Sequence, residues 1–298
     1  MKRLIILLIF IPFLSQSQIE GKQHNQLILR GATLINSTGA PPIGPVDIVI
    51  EKNIITKVQN VGYPGVPINE NRRPKLSKNG VEINCEGSYI LPGFIDTHGH
   101  IGGRSQGASP DYVFKLWMAH GITTIREPGG SLSHELKLEL KNKSEKNTIV
   151  APRIIAFSTF NSRVQSPDEA REWVRENAKK GSDGIKFFGA PPEIMQAAIE
   201  ENKRLGLRST SHHAQLNVVR WNVLNSARAG LNSMEHWYGL PEALFNNRVI
   251  QNYPPDYNYQ NEQNRFEEAG KLWKQAAKPH SEHWNKVMDE LISLDFTI

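Results

Sequence analysis

Hydrophobic positions follow three successive patterns along this chain. An unbroken apolar run occupies residues 4–14, and segments 26–35 and 46–59 are rich in Val, Ile and Leu and partly alternate with polar residues. From residue 89 onward, short apolar runs alternate with amphipathic stretches of helical length. Partial alternation predicts strands, and the later pattern predicts repeated strand–helix units. We therefore expect a short leader, a small β layer over residues 18–88 and a larger domain over residues 89–298.

The larger domain is predicted to contain a parallel sheet. Its six predicted strands lie at residues 89–95, 122–125, 153–157, 184–188, 207–210 and 231–235, and helices are expected at 111–120, 166–181, 192–205 and 216–229. Strands that alternate with helices of roughly 10–15 residues are typical of α/β folds with an open sheet or a closed barrel. We expect a (β/α)8 TIM-type barrel that is incomplete at the C-terminus, with a seventh strand starting near Leu294, and a small N-terminal β-sandwich layer.

The first residues resemble a targeting segment. Met1, Lys2 and Arg3 give a basic start, and the apolar run of about 11 residues ends before the small and polar residues 15–18. This pattern predicts a signal peptide over residues 1–17 and an exported protein, either periplasmic or secreted. The alternative is an uncleaved anchor, but the run is shorter than the roughly 20 residues of a spanning helix, so no stable membrane anchor is expected.

Composition narrows the classes of partner. Cys85 is the single cysteine, so an intrachain disulfide is excluded and a large core or a bound metal must stabilise an exported chain. The net charge is +5, yet basic residues are interspersed with acidic ones, as over residues 168–180. Because there is no basic stripe, nucleic-acid binding is not expected. The sequence leaves the oligomeric state open.

The first predicted barrel strand ends in two closely spaced histidines. The apolar run that ends at Ile95 leads into Asp96, Thr97, His98, Gly99 and His100. Residues i and i+2 of a strand point to the same side, so the two imidazoles can approach one point. Such a pair is the beginning of a transition-metal site. The plain alternative is a pair of polar residues in a loop.

This segment resembles the first barrel strand of the amidohydrolase superfamily, and more specifically that of the imidazolonepropionase- and prolidase-like metal-dependent hydrolases. Residues at the ends of later predicted strands extend the resemblance. The predicted metal ligands are His98, His100, Lys186, His213 and His236. The family's His-Ala pairing favours His213 over its neighbour His212, although the reverse register stays open. The resemblance also implies that Lys186 is carboxylated and bridges two ions; one or two divalent ions, zinc above all, are expected.

The resemblance implies a hydrolase of C–N bonds in amides, cyclic amides or peptide-like small molecules, with a hydroxide between the metal ions as nucleophile. Its catalytic aspartate belongs to an eighth strand, which would lie beyond Ile298. The alternative is an inactive metal-binding remnant. A sugar- or phosphate-binding barrel is disfavoured, since no glycine-rich phosphate loop is present. Arg126 is a candidate for holding an anionic group of the substrate, whereas His280 and His283 fit a charged helix start better than a metal site.

Overall fold

The computed structural model describes residues 24–130, 132–160 and 163–298. It divides into two compact units: the first comprises the described residues up to Pro92 together with Lys143–Ala151, and the second comprises Gly93–Asn142 and Pro152–Ile298. The predicted signal peptide lies outside the described residues. Within the described part of the chain, no helix combines the length and apolar composition needed to cross a bilayer.

The first unit contains one five-stranded sheet. Its strands are β1 (Gln26–Leu34), β2 (Ile43–Glu51), β3 (Ile54–Asn60), β4 (Val81–Asn84) and β5 (Tyr89–Ile90). The order is β3-β2-β1-β4, and β5 also pairs with β1. β1 and β2 are antiparallel, whereas β4 and β5 run parallel to β1. The described residues form a single sheet here, so the predicted β layer is present but its sandwich arrangement is not confirmed.

A buried carboxylate lies at the centre of this sheet. Asp47, on β2, has no exposed surface and accepts a hydrogen bond from the Gly31 amide at 2.9 Å. The Arg30 Nη1 atom lies 2.8 Å from Asp47 Oδ2, and the Arg73 Nε atom lies 3.2 Å from the same oxygen. Arg30 also accepts, through its backbone oxygen, a hydrogen bond from the partly buried Cys85 amide. Every oxygen of the buried Asp47 carboxylate is therefore paired.

The second unit contains six parallel strands in sequential order. They are β6 (Phe94–Asp96), β7 (Ile122–Glu127), β8 (Arg153–Thr159), β9 (Gly184–Phe187), β10 (Arg208–Ser211) and β11 (Ser233–Met234). All five pairings are parallel. Thr297 forms a parallel bridge to Ser233, close to the seventh strand predicted near Leu294. The mixed α/β fold is therefore confirmed, and a parallel sheet with this sequential order is consistent with an incomplete TIM-like barrel.

Eight helices are described. They are α1 (Pro110–Ala119), α2 (His134–Glu145), α3 (Pro167–Lys180), α4 (Pro192–Arg204), α5 (Val223–Ala229), α6 (Leu240–Ala243), α7 (Glu262–Lys271) and α8 (Glu282–Ser293). Local sequence explains their ends: the Ser166 hydroxyl accepts from the Glu169 amide at the start of α3, and Gly181 ends that helix in the left-handed conformation. The helix predicted over 216–229 begins only at Val223, because Asn222 caps it there.

The core of the second unit lies between the sheet and its helices. Ile185 and Phe187 of β9 are completely buried, and they belong to one cluster with Val174 of α3, Ile199 of α4 and Val223 of α5. The apolar side chains of one face of the sheet thus pack against α3, α4 and α5. In parallel strands the carboxyl ends meet at one edge, where side chains from several strands can converge. The predicted metal ligands lie at that edge.

Candidate metal centre

Four imidazole rings from three strand ends lie side by side. His98 and His100 follow β6, His212 follows β10 and His236 follows β11. The ring centroids of His98 and His100 are 5.1 Å apart, those of His98 and His236 are 4.7 Å apart, and those of His236 and His212 are 5.0 Å apart. We call these four residues the histidine cluster. The sequence-predicted residues His98, His100 and His236 are therefore brought together.

The fourth member is His212, not His213. The His213 side chain is 3 % exposed, and its Nε2 atom lies 2.8 Å from the Ser226 hydroxyl of α5. That hydroxyl also accepts a hydrogen bond from Trp221 Nε1 at 2.7 Å. Consecutive residues of an extended chain point to opposite sides. The structure therefore directs His212 to the cluster and His213 into the helix layer, which corrects the predicted placement of His213 at the strand-end site.

Glu127 supports His100 and was not singled out from the sequence. Its side chain, at the end of β7, is 1 % exposed, and its Oε1 atom lies 3.2 Å from His100 Nδ1. The Ile101 amide donates to Oε2 at 2.8 Å, and the Gly129 and Gly130 amides donate to Oε1. Although burial opposes ionisation, the hydrogen bond from His100 helps to lower the pKa of Glu127. The carboxylate is thus charged and fully engaged.

Glu235 supports His98 in the same way. Its Oε2 atom lies 2.6 Å from His98 Nδ1, while the Thr210 hydroxyl donates to Oε1 at 2.6 Å. Arg126 Nη2 lies 2.6 Å from the same Oε1 atom, so this arginine pairs with Glu235. Burial opposes ionisation, but the hydrogen bonds from His98 and Thr210 lower the pKa of Glu235 to about 2. Its acceptor sites are therefore occupied as well.

These two contacts determine which ring nitrogens remain available. An ionised carboxylate only accepts, so Nδ1 of His98 and of His100 carries the proton and donates it to Glu235 and Glu127. Nε2 of each ring is then the nitrogen with a free electron pair. Metal-ligating histidines in proteins are oriented by carboxylates in this manner.

The electrostatic state of the remaining rings also suits metal binding. Burial lowers the pKa of His212 to about 3 and that of His236 to about 4, so both imidazoles are neutral at pH 7. A histidine must be neutral to offer a lone pair to a metal ion. Burial likewise lowers the pKa of the Lys186 ammonium to about 8, against the attraction of Glu235. Lys186, on β9, is 2 % exposed, and its Nζ atom lies 5.4 Å from the centroid of the Phe188 ring.

The donor set fits a transition-metal ion by its chemistry. It offers four imidazoles, three of them at predicted ligand positions, with two oriented by buried carboxylates. Within the described residues, no three His, Cys, Asp or Glu side chains stand close enough to hold an ion as they are placed. The rings are in mutual contact instead, so metal binding would require them to turn toward a common point.

An aromatic wall adjoins the cluster. His236 and Trp237 both have positive φ angles, of 61° and 56°, and so turn the chain sharply after β11. The Tyr238 ring that follows lies 4.9 Å from the His212 ring, centroid to centroid, and 5.8 Å from the Phe266 ring of α7. Phe266 belongs to a segment for which no strand or helix was predicted, and it contributes to the surroundings of the cluster.

Sequence comparison finds relatives that are much longer than this chain. No family model matches it. Adenine deaminase 2 of Desulfotalea psychrophila is 31% identical over 105 residues, which is 35% of this chain and 15% of that protein. An adenine deaminase of Bacillus licheniformis is 28% identical over 165 residues, which is 50% of this chain and 28% of that protein. The alignments thus span less than a third of these relatives.

Comparison with solved structures shows the fold. A prolidase in complex with N-methylphosphonate-L-proline has a TM-score of 0.54 at 15% identity, covering 91% of this chain and 77% of that chain. Molinate hydrolase has a TM-score of 0.53 at 14% identity, covering 94% and 72%. A putative prolidase from Bifidobacterium longum has a TM-score of 0.51 at 22% identity, covering 72% and 55%. Likeness at these identities concerns the fold alone.

Proposed function

We propose that this chain is a metal-dependent hydrolase of C–N bonds; its predicted resemblance to the amidohydrolase superfamily is supported by its curated relatives and by the fold that it shares with a prolidase. The observation that carries the proposal is the histidine cluster, in which two rings have Nδ1 bound to buried carboxylates. The substrates would be amides, cyclic amides or peptide-like small molecules. The relatives named as adenine deaminases act on a C–N bond, in keeping with this proposal.

The proposed ligands of one or two divalent ions follow from the donor set. They are His98, His100, Lys186, His212 and His236. When bound, the ions, with zinc preferred, would supply Lewis-acid activation of water and of the scissile carbonyl group. His212 replaces His213 in this set because its ring contacts His236, whereas the His213 ring contacts Ser226.

The chain's own residues would orient and protect this site. Glu127 and Glu235 hold the Nδ1–H groups of His100 and His98, so both Nε2 atoms are kept for ligation. Arg126 in turn holds Glu235 and donates through Nε to the Thr97 carbonyl at 2.6 Å, which ties the loop before His98 to β7. The anion-holding role predicted for Arg126 is thereby taken by an internal carboxylate.

In this proposal Lys186 binds metal either as a neutral amine or as a carbamate. Its burial disfavours the ammonium form, and a neutral amine can bind CO₂ with loss of one proton to give a carbamate, as the family resemblance suggests. Mass spectrometry of the intact native protein tests this, because a carbamate adds the mass of CO₂.

Export, with the predicted signal peptide, is likewise part of the proposal and is tested by fractionating cells that express the natural gene.

Metal content tests the proposed function first. We expect the full chain, purified without chelator, to contain at least one divalent ion per molecule by inductively coupled plasma mass spectrometry. The complete product of the natural gene should release amine or ammonia from at least one member of a panel of dipeptides, N-acyl amino acids, cyclic amides and adenine. A His98→Ala variant should lose both properties. Less than one ion per chain after loading with zinc would overturn the proposal, and metal binding without hydrolysis would support the inactive remnant instead.

A further inference from the structure

Lys137 of α2 is a buried cation outside the proposed ligand set. Its side chain is 2 % exposed, and its ammonium group donates a hydrogen bond to the Phe157 carbonyl oxygen at 2.9 Å. That partner is a neutral backbone group, so the hydrogen bond does not neutralise the charge. Taking an ammonium group out of water is costly unless a negative charge lies nearby. The position of Lys137 therefore requires a counter-charge in its surroundings.

The ammonium group lies beside the end of β7. Backbone groups of successive residues in a strand point alternately to its two neighbouring strands. The Ala156 carbonyl of β8 accepts from the Asp183 amide on the β9 side, so the Phe157 carbonyl points to β7. Glu127, the last residue of β7, is paired in register with Ala156. Because adjacent strands are about 4.8 Å apart, the Lys137 ammonium lies close to Glu127.

Glu127 supplies the counter-charge. Its carboxylate is 1 % exposed and is held in the ionised form by three backbone amides and by His100. Burial lowers the pKa of Lys137, and the negative charge of Glu127 opposes that shift. A nearby opposite charge favours the ionised form of a group. Lys137 and Glu127 are therefore a buried ammonium and a buried carboxylate that compensate each other.

Lys141, one turn further along α2, provides a comparison within the same helix. Its Nζ atom lies 2.6 Å from Asp183 Oδ1, and its side chain is 17% exposed. Lys137 differs from it, because its counter-charge is the carboxylate that accepts from Nδ1 of the proposed ligand His100. One residue thus links the charge of Lys137 to the proposed metal centre.

We propose that Lys137 balances the charge of Glu127 in the metal-free protein and thereby lowers the affinity of the centre for divalent ions. The positive charge of an ion held by His100 would act on the same carboxylate as the ammonium group, and the two positive charges would repel each other. The inference rests on the proposed function, because it requires a metal centre at His100. Lys137 acts through Glu127 and is not itself a ligand.

The zinc affinity of Lys137→Met tests the sign of this effect. We expect the full-length variant to bind zinc about tenfold more tightly than wild type, since charges several ångströms apart stay coupled at an effective dielectric constant of about 20. Competition with a chelating dye measures this affinity. Lys141→Met is the matched control and should leave zinc affinity unchanged. A purely structural role of Lys137 predicts weaker or unchanged binding in Lys137→Met, and either result would overturn the inference.

The thermal midpoint Tm of the metal-free protein is the second readout. Lys137→Met leaves Glu127 as a buried charge without its counter-ion, so the metal-free Tm should fall. The same substitution should lower Tm less in a Glu127→Gln background, and equal losses in the two backgrounds would contradict the pairing. If Lys137→Met does not fold, Lys137→Gln replaces it in both measurements, because glutamine keeps a donor for the Phe157 carbonyl but carries no charge.

The zinc content of wild type distinguishes the two proposals. A wild-type protein that binds no zinc would contradict the proposed function and, with it, this inference. A wild-type protein that binds zinc at least as tightly as Lys137→Met would contradict the inference alone.

Discussion

Asp47 in the first unit and Glu235 in the second are both buried carboxylates on or next to a strand, and both pair with arginine. The Asp47 network is complete, because two arginines and a backbone amide occupy its oxygens. The Glu235 network includes instead His98, whose Nδ1 donates to the carboxylate and whose Nε2 keeps its electron pair. The same kind of charge pairing thus stabilises a sheet in one unit and orients the His98 imidazole in the other.

The difference extends beyond these two residues. Within the described residues, every buried side-chain atom without a hydrogen-bond partner lies in the second unit. Unpaired buried groups reduce stability and are therefore informative where they gather. Among the described residues, unpaired buried side-chain atoms are thus a property of the second unit, and some of them, such as Ser211 Oγ, lie directly beside the histidine cluster in sequence.

The largest expected effect comes from opening the complete network. Asp47→Ala leaves the guanidinium groups of Arg30 and Arg73, which are 13% and 19% exposed, without their shared partner. We expect a loss of about 3–5 kcal/mol in the free energy of unfolding of the first unit, measured by urea denaturation. The control Glu82→Gln removes an exposed partner of Arg30 and should cost less than about 1 kcal/mol. Equal losses in the free energy of unfolding for both variants would show that the buried Asp47 network stabilises the first unit no more than an exposed ion pair does.

Adjacent histidines allow the comparison to be made within one segment. His213→Ala removes one of the two partners of the Ser226 hydroxyl and leaves a void in the core, so it should lower the free energy of unfolding by about 2–3 kcal/mol while metal content is unchanged. His212→Ala should do the reverse, with loss of metal and little change in stability. Denaturation curves and metal analysis of both variants check this. If His213→Ala lost the metal and His212→Ala kept it, the proposed ligand set would be wrong.

The next effect concerns a carboxylate that orients a ring. Glu127→Gln replaces an acceptor-only group beside His100 Nδ1 with an amide, and we expect a 10–100-fold weaker affinity for zinc, as is usual for such partners. Competition with a chelating dye measures this affinity. The control is Glu201→Gln on α4, which alters a carboxylate paired with Arg175 and Arg204 and should leave zinc affinity as it was. An unchanged zinc affinity in Glu127→Gln would show that Glu127 does not orient His100 for metal binding.

The smallest effect is a pH dependence outside both networks. The hydrogen bond from Arg204, followed by that from Arg175, lowers the pKa of Glu201 to about 2, below its ordinary value of 4.5. A depressed carboxyl pKa contributes stability that is complete above pH 4.5 and is lost as the pH falls toward 2. Wild type should therefore exceed Glu201→Gln in Tm at pH 7, and the gap should close near pH 2. A gap that persists at pH 2 would contradict the assignment.

Local signals made much of this fold predictable. Apolar runs located the parallel strands, and Ser166 and Gly181 defined the ends of α3, because caps depend on residues a few positions apart. The same holds for His98, His100 and His236, whose positions follow strands directly. The predicted helix over 216–229 was too long, because the Asn222 side chain caps the helix and starts it at Val223.

What could not be predicted depends on distant contacts. The choice between His212 and His213 requires the register of β10 against β9, which the sequence does not reveal. Glu127 and Glu235 are ordinary acidic residues until pairing between strands brings them to His100 and His98. Their positions at the ends of predicted strands were the one available signal. Side-chain partners separated by 27 and 137 positions are set by the tertiary fold.

The division into two units also gives each of them a separate natural optical or chemical reporter. All six tryptophans, Trp117, Trp173, Trp221, Trp237, Trp273 and Trp284, lie in the second unit, and the single cysteine, Cys85, lies in the first. Tryptophan fluorescence therefore follows the second unit alone. The rate at which Cys85 reacts with a thiol reagent follows the first unit alone. Unfolding of the two units can thus be measured separately without introducing a new residue.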